Sequence, residues 1–149
     1  ADAVLFVTPE YNHGVPGGLK NLIDWMSRGA PPHAFFGVPV AIAGASNGMI
    51  GTARCQLALR NTMATLNAPT LPFPQVLVSN CKERFDEERR LTHEPTRSFV
   101  ADWTREVERW MRRFPRDALY SQLAKRGGRT TRPGSPGWRS CSVHVTGPT

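Results

Sequence analysis

Thr8-Pro9-Glu10-Tyr11-Asn12-His13-Gly14-Val15-Pro16-Gly17-Gly18-Leu19-Lys20-Asn21-Leu22-Ile23-Asp24-Trp25 is the stretch that decides the fold, because it joins a strand to a helix through a loop of conformationally special residues. Just before it, Ala3 to Val7 is an unbroken apolar run of strand formers, the pattern of a parallel strand covered on both faces. Thr8-Pro9 stops that strand. After Gly17-Gly18, the residues Leu19, Leu22, Ile23 and Met26 recur at i, i+3, i+4 and i+7 and give one apolar helix face. Lys20, Asn21 and Asp24 fill the other side, with Lys20 and Asp24 at the spacing of a surface ion pair.

Working outward, the helix spans about 18–28 and leads through Pro31-Pro32 to a second strand over Val38–Gly44. A second helix is expected from Thr52 to Asn67, with Cys55, Leu59, Met63 and Leu66 on one side, and Gln75–Ser79 reads as a third strand. The last helix starts near Thr92 as N-cap, with Pro95 in its first turn and a stripe of Phe99, Val100, Trp103, Val107, Trp110 and Met111. Alternating strands and helices imply a parallel sheet with helices on both faces. Ligands bind such sheets beyond the carboxyl ends of the strands, and the loops 8–18 and 44–52 both leave at that edge.

Charge divides the chain. Residues 1–111 hold 11 Lys and Arg against 11 Asp and Glu, so the whole net charge of +7 falls on residues 112–149, with 8 against a single Asp. Residues 1–113 are sized for one domain able to bury a core unaided. Residues 114–149, rich in Arg, Gly and Pro and poor in aliphatics, are expected to be a disordered basic tail. Past Phe114, Tyr120 and Trp138 are the tail's only Phe, Trp or Tyr residues, which makes a weak nucleic-acid signal. Cys55, Cys81 and Cys141 are odd in number and far apart, indicating neither a disulfide framework nor a zinc site. No apolar run reaches the 18 or so residues of a membrane helix, and the N-terminus lacks signal-peptide features, so the expected location is the cytoplasm.

Pro9-Glu10-Tyr11-Asn12, then Val15-Pro16-Gly17, then Leu19-Lys20-Asn21 and Asp24 resemble the signature of the NAD(P)H-dependent FMN reductases, a flavodoxin-like group that includes quinone, chromate and azo-dye reductases. Gly44-Ala45-Ser46-Asn47-Gly48-Met49-Ile50-Gly51-Thr52-Ala53-Arg54-Cys55-Gln56 resembles the family's next loop and helix start, in register downstream. The resemblance runs over about residues 1–111. It implies a doubly wound parallel sheet, FMN as cofactor, NADPH or NADH as hydride donor, a small-molecule electron acceptor and a homo-oligomer. It also implies that Pro9, Glu10, Tyr11 and Asn12 contact the isoalloxazine and that Ser46, Asn47 and Gly48 approach it from the adjacent strand. The family begins with a strand and a Ser/Arg-rich phosphate loop, whereas this sequence opens at Ala1-Asp2-Ala3 inside the family's middle strand. The expectation is therefore a domain missing its first strands and its phosphate anchor, with impaired activity.

The residues leave alternatives open. Glu10 is either a solvated loop carboxylate or a structural hydrogen-bonding group, and it is no general acid or base. Gly14, Gly17 and Gly18 serve positive φ or close backbone approach. His13, His33, His93 and His144 have no spacing for a metal or a triad; Arg54 and Arg60 lie near the crevice helix, where Arg54 reads as a solvated helix face before a nicotinamide-cofactor phosphate contact. Gly44-Ala45-Ser46-Asn47-Gly48 also fits the Gly-x-Ser-x-Gly elbow of serine hydrolases, but Met49-Ile50-Gly51 delays the helix that an elbow enters directly. The rival from another class is a non-catalytic chain whose basic tail binds polyanions.

Overall fold

Each apolar run becomes a strand and each 3.6-residue stripe a helix. The computed structural model describes residues 2–29 and 32–115. In chain order it contains β1 (Val4–Val7), α1 (Gly17–Met26), β2 (Val40–Ala45), α2 (Ala53–Thr65), β3 (Val76–Val78), one 3-10 turn (Cys81–Glu83) and α3 (Glu94–Arg112). The strands form a parallel sheet in the order β1-β2-β3. Val4 pairs with Val40 and Val7 with Ala43, while Ala43 and Ala45 pair with Val76 and Val78. Parallel neighbours require crossovers, and α1 and α2 are those crossovers. No described helix is long and apolar enough to cross a membrane.

Successive residues of β2 face opposite sides, as the strand period demands. Val40 and Ile42 join Phe6 of β1 in a core closed by Leu19 and Ile23 of α1 and Cys55, Leu59 and Met63 of α2. Phe35, from the loop before β2, plugs that core with its ring centroid 6.3 Å from that of Phe6. Ala41 and Ala43 turn to the other face, where with Leu71 and Val76 they meet Trp103 and Val107 of α3. There the indole Nε1 of Trp110 donates to the Pro69 carbonyl at 3.1 Å. Helices thus cover both faces, as the alternation implied.

Several local expectations need correction. β1 is covered on one face only: Phe6 is buried, but Leu5 and Val7 are 46% and 62% exposed. The physical reason is that β1 is an edge of the described sheet and α3 packs over β2 and β3 without reaching it. Met26 and Phe99, assigned to apolar faces by periodicity, are exposed at 40% and 41%; Met26 sits at the end of α1, beyond the core. α3 starts at Glu94 and His93 holds the capping position, while Thr92 stays outside and its hydroxyl donates to the Arg84 carbonyl at 3.3 Å. Pro95 does lie in the first turn of α3. Phe114, grouped above with the tail, packs on Trp110 with ring centroids 4.9 Å apart. From residue 116 onward the expected disordered tail lies outside the described residues.

Candidate functional site

The loop leaving β1 is built from the strand outward. Thr8 is buried, and its N–H extends the ladder by donating to the Ala43 carbonyl at 3.0 Å. Tyr11 and Gly14 then exchange both main-chain hydrogen bonds, at 3.1 and 2.9 Å, across a tight turn through Asn12 and His13. Both central residues have positive φ, 48° and 64°, the geometry of a type I′ turn. The positive-φ positions therefore fall on Asn12 and His13, not on Gly14, Gly17 or Gly18. A Cβ on Gly17 or Gly18 would meet nothing within 4 Å, so the start of α1 presents open backbone.

Glu10 departs from the exposed residues Tyr11, Asn12 and His13 that follow it. Its side chain is 6% exposed, and Oε2 accepts the main-chain N–H of Cys55 at 2.9 Å. Cys55 lies in the first turn of α2, where N–H groups have no partner within the helix and a negative charge is favoured. The structural reading of Glu10 holds over the solvated one. Oε1 stands 3.6 Å from Nδ1 of the exposed His13, and the guanidinium of Arg54 reaches the same nitrogen. Burial pushes the Cys55 thiol up from 9.0 to about 11; the Thr8 hydroxyl pulls the other way, and the Glu10 carboxylate adds to the rise.

The loop leaving β2 is held on its other side. Ser46 N–H donates to the Val78 carbonyl at 2.9 Å, and Ser46 O accepts the Cys81 N–H at 3.1 Å. Asn47 Oδ1 accepts from the Cys81 thiol at 2.9 Å and from the Lys82 N–H at 3.2 Å, tying this loop to the 3-10 turn after β3. Gly44 is required by packing, because a Cβ there would lie 2.3 Å from the Thr8 carbonyl oxygen and 2.5 Å from Thr52 Oγ1. Gly51 has φ +60° and sits against the Leu77 backbone.

Ser46 is not arranged as a nucleophile. Its Oγ accepts the Gly48 N–H at 3.1 Å, and the chain passes through a turn at Met49–Thr52 before α2 begins. His13 contacts Arg54, His33 Nδ1 accepts the Phe35 N–H at 3.3 Å, and His93 contacts Arg84 and Thr96, so none of these serves Ser46. His144 lies outside the described residues. No group of three or more His, Cys, Asp or Glu among the described residues could hold a metal. Lys20 and Asp24 form the expected surface ion pair at 2.8 Å.

Arg60, expected near the crevice, points elsewhere. Its Nη1 donates to the Leu71 carbonyl at 2.6 Å, and burial lowers its pKa. It borders a cavity of about 610 Å³ with Asn67, Thr70 and Arg113. That cavity is at the amino edge of the sheet, where Thr70 bridges to Val40 at the start of β2, and so is remote from the loops described above.

The structure therefore brings the loop of Pro9, Glu10, Tyr11 and Asn12 to the same sheet edge as Ser46, Asn47 and Gly48. Tyr11 and Asn12 are exposed there, and Met49 and Ile50 of the loop after β2 are exposed as well. Three further contributors escaped the sequence reading: Thr8, the Cys55 main chain, and the segment Asn80–Lys82. The last had a usable signal, since it leaves the third strand at the carboxyl edge like the other two loops.

The family model described as NADPH-dependent FMN reductase matches residues 1–83. An NAD(P)H-dependent FMN reductase of Pseudomonas aeruginosa is 44% identical over 114 residues, which cover 76% of this chain and 61% of the relative. A quinone reductase of Escherichia coli K12 is 46% identical over 86 residues, covering 58% and 45%. A 2-hydroxy-1,4-benzoquinone reductase of a Burkholderia species is 38% identical over 112 residues, covering 75% and 61%. Among solved structures, FerB, a flavoenzyme NAD(P)H:(acceptor) oxidoreductase from Paracoccus denitrificans, aligns with a TM-score of 0.70 at 31% identity, over 77% of this chain and 63% of that one. The chain thus spans less than two thirds of the length of each of these proteins.

Proposed function

Because the chain belongs to the NADPH-dependent FMN reductase family, we propose that it is an NAD(P)H-dependent flavin oxidoreductase that passes electrons to a small-molecule acceptor of the quinone type. FMN is held through Pro9, Glu10, Tyr11 and Asn12 and through Ser46, Asn47 and Gly48. The observation that carries this reading is the hydrogen-bonded assembly of the loops after β1, β2 and β3 at one edge of the sheet. The quinone class rests on the names of two relatives, a quinone reductase and a 2-hydroxy-1,4-benzoquinone reductase.

The donor set suits the cofactor. Among the described residues, the main-chain N–H groups of Glu10 and Asn12 have no acceptor, and a flavin ring accumulating negative charge calls for such donors. Tyr11 offers an exposed ring for stacking, and Asn12 an amide. Gly48 and the open backbone at Gly17 and Gly18 leave room for close approach. Bound FMN supplies the ring that takes hydride from NAD(P)H and returns the electrons to the acceptor. This chain's residues supply orientation and polar contacts to that ring, so no acid or base side chain is nominated. The proposal includes a homo-oligomer.

FMN titrated into the 149-residue chain should quench its fluorescence and shift the flavin's visible spectrum, and Tyr11→Ala should weaken that binding more than Glu10→Gln. NADH and NADPH oxidation with a quinone acceptor and saturating FMN then measures turnover. Binding of nicotinamide cofactor with no response to flavin would overturn the assignment.

A further inference from the structure

We propose that Glu10 is a positioning residue of this site: a carboxylate clamp that fixes the Tyr11–Gly14 turn against the first turn of α2. The inference rests on the FMN reading above and gives one residue within it a specific task. Three observations support it.

First, Glu10 points away from the open side of its own loop. Tyr11, Asn12 and His13 are exposed, whereas the Glu10 side chain is 6% exposed with Oε2 on the Cys55 N–H. A group so engaged offers its main chain, not its carboxylate, to a ligand at the loop surface. Second, α2 lacks a cap of its own. Thr52 occupies the capping position, yet its side chain makes no capping bond; its Oγ1 instead accepts from Gln56 Nε2 at 3.0 Å. The N–H that a local cap would satisfy is satisfied by a residue 45 positions earlier in the chain. Third, the turn that Glu10 precedes needs support. Asn12 and His13 both carry positive φ without being glycine, a conformation that persists where surrounding contacts impose it. The guanidinium of Arg54 reaches His13 Nδ1 and supplies such a contact, with Glu10 Oε1 3.6 Å from the same nitrogen.

The clamp links two loops that must share one flat ligand. Loss of the carboxylate frees the turn and leaves an N–H of α2 unpaired, so the cost appears in ligand orientation before it appears in the core. Gln keeps an acceptor oxygen at the same reach. Ala keeps none.

The test uses the full chain and three variants: Glu10→Ala, Glu10→Gln and Met63→Val, the last a core change chosen to lower the melting temperature without touching the loops. FMN affinity should fall roughly tenfold in Glu10→Ala, return to within about threefold of wild type in Glu10→Gln, and survive in Met63→Val. Hydrogen exchange at the Cys55 amide, measured without flavin, should accelerate in Glu10→Ala and not in Glu10→Gln. Unchanged exchange in Glu10→Ala would refute the clamp whatever FMN does. Accelerated exchange with undiminished FMN affinity would leave Glu10 a plain helix cap and overturn its role in the site. A wild-type chain that binds no FMN would sink the functional reading and this proposal together, and the exchange data would still report whether the contact exists.

Discussion

On one side of the sheet α1 and α2 close over Phe6, Val40 and Ile42, and on the other α3 closes over Ala41, Ala43 and Val76 but leaves Leu5 and Val7 bare. The difference bears on the site because the Pro9–Asn12 loop leaves β1, the strand with least cover. Packing alone does not place that loop. Its position depends on polar ties to better-buried elements: Thr8 N–H to the Ala43 carbonyl and Glu10 to the Cys55 N–H. The Ser46–Gly48 loop leaves β2, which is buried over most of its length, and is tied in addition to the turn at Cys81.

The contact that most constrains this arrangement is the close approach at Gly44. A Cβ 2.3 Å from the Thr8 carbonyl oxygen and 2.5 Å from Thr52 Oγ1 would push β1 and the start of α2 away from β2. Gly44→Ala should cost on the order of 4–5 kcal/mol in urea denaturation. A variant as stable as wild type would show that these elements do not meet as described.

The two faces can next be weighed directly. Met63, on the fully buried side of α2, should cost about 3 kcal/mol when cut to Ala. Val107→Ala on the α3 face should cost about 2 kcal/mol, fewer methyl groups being lost. Equal or inverted losses would mean that the α3 face carries more of the stability than its buried residues suggest.

Much of this scaffold was legible from residues alone. Cys55, Leu59, Met63 and Leu66 fell on one side of α2, and the carboxyl-edge rule collected the first two loops, because period and strand polarity are local properties of a chain. What was not legible depended on partners distant in sequence. Nothing near Glu10 announces an N–H 45 residues away. Ala3 to Val7 states a preference for burial but not which neighbours will supply it. The glycines at 14, 17 and 18 drew attention to positive φ, yet Asn12 and His13 adopt it because Tyr11 and Gly14 pair across them. Thr92 has the chemistry of a cap and spends it on Arg84.

Alkaline pH separates the clamped region from the rest. The Cys55 thiol, fully buried under Glu10 and Thr8, is raised from 9.0 to about 11. A folded-state pKa above the unfolded value favours the protonated thiol in the fold. That contribution is fully present below pH 9 and is lost as pH rises toward 11, at up to about 1.4 kcal/mol per pH unit. Denaturation midpoints measured between pH 8 and 11 should fall more steeply for wild type than for Cys55→Ala. Parallel curves would show that the thiol ionises as readily in the fold as out of it.

The smallest expected effect tests the bare face itself. Val7 is 62% exposed on β1, and Thr keeps its branched shape and strand preference while replacing a methyl group with a hydroxyl. If water already covers that methyl, Val7→Thr should change stability by no more than about 0.5 kcal/mol, whereas the same exchange at the fully buried Val40 should cost several times as much. Both can be read from urea denaturation at two protein concentrations. A Val7→Thr loss that approaches the Val40→Thr loss, and grows with protein concentration, would mean that a second copy covers Leu5 and Val7 in solution. In that case β1 is a buried strand after all, and the Pro9–Asn12 loop is held by packing on both faces as well as by its polar ties.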